Sequence, residues 1–141
     1  MKIRRVKIVL CAFVLFMVGL VAWADSGHGS QFFRLANRIP AGDKLGHFIL
    51  FGMLSFLVNL VLRTAEIRLW RISILKGSAM VMFVATLEEV SQLFLRSRSF
   101  DLADLTAGLL GIWFFGWLAK RYCSRQRSKP GSLAGSRNSP V

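Results

Sequence analysis

Four apolar runs divide the chain, at Ile8–Ala24, Leu45–Leu62, Ile72–Leu95 and Leu102–Ala119. Each is close to the roughly 17–25 residues that an α-helix needs to cross about 30 Å of hydrocarbon. None shows the in–out alternation of a barrel strand. Backbone groups in lipid must find their hydrogen bonds within the protein, and runs this long do so as helices. The pattern predicts an all-α fold: an integral membrane bundle of four transmembrane helices over residues 1–120. A tail over 121–141, rich in Ser, Gly, Arg and Pro, is expected to be disordered. Gly52, Gly77, Gly108, Gly111 and Gly116 fall inside the runs, where small residues let helices approach closely.

The first run has a second reading. It starts basic and ends at Ala22-Trp23-Ala24, a pattern that also fits a cleaved signal peptide, which would leave three spans. An uncleaved anchor is the preferred reading, because the run is long for a signal peptide. Trp70, in the connection Arg63–Arg71, is placed like an interfacial anchor.

Composition agrees with lipid burial: 54% of the 141 residues are hydrophobic and mean hydropathy is +0.50. A net charge of +12 would fit nucleic acid, but its distribution argues for a membrane surface. Of 19 cations, 14 lie before the first run, around the connection between the second and third, or after the fourth, accompanied only by Glu66 among the carboxylates. The opposite side holds Arg34, Arg38, Lys44, Arg96 and Arg98 with the other six carboxylates. The positive-inside rule then places both termini in the cytoplasm, with anionic lipid headgroups as partners of the basic segments. Cys11 and Cys123 have neither disulfide nor metal-ligand spacing.

The stretch "ATLEEVSQLFLRSRSFDLADL" interrupts this apolar pattern with Glu88, Glu89, Gln92, Arg96, Arg98, Asp101 and Asp104. With the helices alternating in direction, these residues meet Asp43, Lys44 and His47 at the outer side of the bilayer. Asp43 and His47 are four apart and share a helix face, as do Glu88 and Gln92, while Glu89 and Gln92 are three apart. Adjacent glutamates diverge by about 100° around a helix, so one can face the bundle while the other looks away. Arg98 and His47 are the expected counter-charges, because a carboxylate at bilayer depth needs a partner. Simpler roles compete with this site. Asp101 is suited to cap the fourth helix, Lys44 to snorkel, and a Glu–Arg–Asp network to hold register without binding anything.

"DKLGHFILFGMLSF" and, further on, "EEVSQLFLRSRSFDLADLTAGLLG" resemble the VanZ-like membrane proteins over about residues 43–111. Asp43, Lys44, His47, Glu89, Gln92, Arg98, Asp101 and Asp104 carry the resemblance in order and spacing. The chain departs from the family at Arg96 and Gly108, where Pro and Asn are usual. The resemblance implies a small bacterial inner-membrane protein of the cell envelope, in a family whose name-giving member is associated with glycopeptide resistance. It names no reaction.

Three functions fit these residues. One is binding of an amphipathic, lipid-linked or lipophilic substrate at Asp43, Lys44, His47, Glu88, Glu89, Gln92, Arg98, Asp101 and Asp104, with Arg98 offering a planar fork of donors to an anion. Another is an enzyme on a lipid headgroup, with His47 and Glu89 as acid and base and Arg98 stabilising charge. The last is a proton-coupled small transporter, which would need a homo-oligomer to enclose a path. No cofactor motif is present, and no metal is expected because diagnostic ligand spacing is lacking.

The charge split makes the topology testable. Single cysteines placed in the 25–42 and 96–101 segments should react with a membrane-impermeant thiol reagent in spheroplasts, and cysteines in Arg63–Arg71 should not. The reverse labelling pattern would invert the orientation.

Overall fold

The computed structural model describes residues 3–25, 42–92 and 101–127. Helix α1 spans Ile3–Asp25, α2 Gly42–Val61, α3 Lys76–Gln92 and α4 Leu102–Arg127. Between α2 and α3 lies an antiparallel hairpin of β1 (Glu66–Leu69) and β2 (Ile72–Leu75), with Leu69 opposite Ile72. Three segments are long and apolar enough to cross a membrane: Ile3–Trp23, Gly42–Val61 and Leu102–Gln126, with mean hydropathies of 2.5, 1.7 and 1.5.

The expected third span, Ile72–Leu95, is corrected. Ile72–Leu75 is strand, and the helix that follows has 17 residues, among them Glu88 and Glu89. Among the described residues this helix does not reach the length and apolar content of the other three. A fourth span of the independent kind is therefore not supported. The expected tail is corrected in its first seven residues only. Residues 121–127 continue α4, while 128–141 lie outside the described residues, as does the expected outer loop at 26–41.

Successive helices alternate in direction, an up–down arrangement. α2 ends in a Schellman cap: Thr64 N–H donates to Asn59 O (2.8 Å) and Arg63 N–H to Leu60 O (3.2 Å), with Arg63 left-handed at φ 53°. The hairpin reverses the chain through Trp70 and Arg71. Trp70 adopts φ 55°, a conformation that hairpin turns usually give to Gly, Asn or Asp, and its side chain is fully exposed. Glu66 at the start of β1 pairs with Lys120 of α4 at 2.6 Å, tying the hairpin to that helix. The lysine, more than nearby Arg68, holds the Glu66 carboxyl below its ordinary range.

α2 and α4 run parallel and form the main interface of the bundle. Phe48 O occupies the place where a Cβ on Gly111 would stand. The same pattern recurs along the pair: the Phe115 ring lies 2.5 Å from the Cβ position of Gly52, and Phe51 lies 3.3 Å from that of Gly108. Phe51, Leu54, Val81, Ala85 and Ile112 form the buried apolar centre. α1 adds its stripe of Leu10, Phe13 and Met17 to that centre and Val6 to a second cluster with Leu60 and Ala119. These positions recur every three or four residues, so one face of α1 packs. Its other faces carry exposed Ile8, Leu15, Phe16 and Val18, as expected of a helix against lipid.

A buried polar knot lies in this apolar setting. Ser55 and Asn59 of α2 are fully buried and Ser78 of α3 nearly so. Asn59 Nδ2 donates to Ser78 Oγ (2.9 Å) and Ser55 Oγ (3.3 Å), and Ser55 also donates to Ile112 O at 3.2 Å. Asn59 Oδ1 is 2.5 Å from the Cβ position of Gly77, and Ser78 Oγ is 2.5 Å from that of Gly116. Glycines at 77 and 116 thus leave the space that the polar groups occupy.

Gly111→Ala should therefore force α2 and α4 apart and cost about 1–3 kcal/mol, the usual range for overpacking. Gly46→Ala, where a Cβ meets nothing within 4 Å, should be neutral or stabilising by up to about 1 kcal/mol from helix propensity. Thermal unfolding of both variants in detergent compares the two effects.

Candidate functional site

Because α2 and α4 are parallel, their first turns lie at the same end of the bundle. α3 runs antiparallel to both and brings its C-terminal turns there. This topology collects Asp43, Lys44 and His47 from α2, Glu88 and Glu89 from α3, and Asp101 and Asp104 at the start of α4. Gln92 is the last residue of α3, and Arg96 and Arg98 lie outside the described residues.

Asp101 is the N-cap of α4. Its Oδ1 accepts from Ala103 N–H at 2.8 Å, and its carbonyl accepts from Asp104 N–H at 3.0 Å. Its own backbone N–H donates to Glu89 Oε1 at 3.0 Å, so the carboxylate of α3 fastens the entry to α4. Lys44 does more than snorkel. Its Nζ donates to Asp101 Oδ2 (3.0 Å) and Asp104 Oδ1 (3.2 Å), linking α2 to α4 across 57 and 60 residues of sequence. Lys44 is thus the cation paired with Asp101 and Asp104, while His47 lies beside Glu88 and Glu89 as expected and Arg98, the other expected counter-charge, lies outside the described residues.

The adjacent glutamates separate as helix geometry requires. Glu89 is 1% exposed, whereas Glu88 is half-buried. His47 stands between the carboxylates, with its ring 5.9 Å from that of Phe51. Its Nδ1–H donates to Asp43 O at 3.0 Å, because a carbonyl can only accept. In the neutral ring this leaves the lone pair on Nε2. Ligand-type atoms of Asp43, His47 and Asp104 lie within 4.8 Å of one another, and so do those of His47, Glu88 and Glu89. These are the residues with which a cation would be held, although sequence spacing gave no sign of one. The same arrangement lets His47 exchange a proton with either set of carboxylates.

Two features escaped the sequence reading. The Lys44 bridge could have been anticipated from its location one turn into a helix that starts beside two aspartates. The Ser55–Asn59–Ser78 knot was signalled by polar residues four apart inside an apolar run.

No family model, curated protein or solved structure matches the chain.

The ion triad predicts a pattern of stability changes. Lys44→Met should lower the unfolding midpoint by several degrees, because it strands the buried Asp104 carboxylate, and adding Asp104→Asn should recover part of the loss. Asp101 adds a pH dependence. The Ala103 N–H, and then Lys44, hold its carboxyl below the ordinary range. Its stabilising contribution is therefore complete above about pH 4 and lost as pH falls through the lowered folded-state value. Asp101→Asn should flatten the acid limb of a stability–pH curve measured in detergent.

Proposed function

We propose that this chain is a small cell-envelope protein of the VanZ-like type, seated in a bacterial inner membrane with both termini cytoplasmic. In this reading its acidic end lies in the outer leaflet and binds the polar end of an amphipathic molecule, either lipid-linked or lipophilic. The observation that carries the reading is the burial of Glu89 at 1% exposure beside His47, Asp101 and Asp104, at the end of three helices of membrane-crossing character. Carboxylates so placed are costly in lipid, and an intramembrane ionisable group is a functional-site candidate by default. α3 packs one face against α2 and α4 through Val81 and Ala85 and leaves Phe83, Val84 and Leu87 exposed on another.

The described charges set the chemistry of the ligand. Among the described residues five carboxylates face one lysine and one histidine, which suits a donor-rich polar group such as sugar hydroxyls or an ammonium. A glycan or amine headgroup meets that requirement, as does a lipophilic glycopeptide, the class to which the family resemblance points. His47 beside Glu88 and Glu89 also favours a second reading, proton exchange during lipid modification or transport.

Glu89→Gln should decide between binding and bland scaffolding. It keeps an acceptor for Asp101 N–H but removes the charge, so membrane insertion should remain normal. The lipid species that co-purifies with the wild-type chain should disappear. Glu88→Gln should be milder, because this residue is only half-buried. Retention of the same lipid by both variants would remove the binding role. Chemical conversion of the lipid in micelles, or proton-dependent flux in proteoliposomes, would replace it with the enzymatic or transport reading.

A further inference from the structure

A groove of about 340 Å³ opens at the opposite, basic end of the bundle, between Phe56 of α2 and Trp117, Leu118, Arg121, Tyr122 and Arg125 of α4. The α4 residues follow one another at i, i+1, i+4, i+5 and i+8, which is one face of a helix. Along that face the chemistry changes in a single direction. Phe56, Trp117 and Leu118 form an apolar floor, and the two arginines follow one and two turns later toward the helix end.

The wall is built rather than incidental. Phe56 and Tyr122 meet edge to face with centroids 6.2 Å apart, and Gln126 Nε2 donates to the Tyr122 hydroxyl at 3.2 Å. The Arg121 guanidinium lies over the Trp117 ring, 4.4 Å from its centroid, which fixes its planar donors above the apolar floor. Neighbouring Lys120 is turned toward Glu66 of the hairpin, and Arg121 and Arg125 both line the groove.

This part of α4 lies in the last turns of a membrane-length segment that ends at Gln126, the depth at which Trp, Tyr and Arg settle at the boundary between hydrocarbon and headgroups. We propose that the groove binds one anionic phospholipid, with the phosphate between Arg121 and Arg125 and an acyl chain against Phe56, Trp117 and Leu118. The order of polarity along α4 matches the order of polarity along such a lipid. The two arginines supply charge complementarity, and the stacked guanidinium supplies a planar site for phosphate oxygens. This site is separate from the acidic end and does not depend on the function assigned there.

Native mass spectrometry of the full chain in detergent, titrated with phosphatidylglycerol or phosphatidylcholine, tests the proposal. One phosphatidylglycerol should be retained preferentially. Arg121→Gln with Arg125→Gln should weaken its binding about thirtyfold, at roughly fivefold per cation, with helix content by circular dichroism unchanged. Arg68→Gln with Arg71→Gln removes the same charge from the hairpin and should change binding by less than about twofold. Soluble glycerol phosphate should not displace the lipid. Equal weakening by the hairpin pair would overturn the site in favour of diffuse attraction. Equal retention of phosphatidylcholine, or displacement by glycerol phosphate, would also overturn it.

Discussion

The carbonyl of Phe48 faces the bare Cα of Gly111, and this contact between two backbones sets the geometry of the bundle. A side chain at 111 would separate α2 from α4. Without it the helices lie close enough for Ser55 to reach Ile112 O at 3.2 Å and for Lys44 to reach two aspartates of α4. Hydrophobicity cannot drive such an approach in lipid, because the solvent is as apolar as the side chains. Packing at glycine and a few buried hydrogen bonds must do so. The acidic end and the polar knot both depend on that separation.

Parallel packing has an electrostatic consequence for the two ends. The N-termini of α2 and α4 lie together, and their dipoles point the same way, so partial positive charge accumulates where Asp43 and Asp104 occupy the first turns. Partial negative charge accumulates at the other end, beside Lys120, Arg121 and Arg125. The acidic and basic ends thus agree with the backbone field as well as with the charge asymmetry of the sequence. Lys44 is the exception: it places a cation at the positive end, and its two carboxylate partners offset the cost.

The long apolar runs were legible because a membrane demands uninterrupted helices, and α1, α2 and α4 met that demand nearly at the expected positions. The convergence of Asp43, His47, Glu89 and Asp104 was legible for the same reason, since alternating helix directions fix which ends meet. Ile72–Leu75 was misread because a short apolar run does not distinguish strand from helix. The hairpin turn offers no glycine at Trp70 to announce itself. The roles of Ser55, Asn59 and Ser78 were hidden because a small polar residue in an apolar run reads as tolerated rather than paired. Which glycine would meet a backbone and which would meet open space, as at Gly46, depends on helix rotation, which one sequence does not fix.

The contact between Phe48 and Gly111 also dictates an order of assembly. About sixty residues separate its partners, including the hairpin and all of α3, so α2 is synthesised before α4. Until then Ser55 lacks the Ile112 carbonyl and Lys44 lacks both aspartates, so polar groups on α2 wait without their final partners. Non-local closure of this kind is slow compared with the formation of each helix. The nascent chain therefore passes through an interval in which its polar half-site is open to lipid, water or any assisting protein. The length of that interval is set by the rate at which α4 emerges.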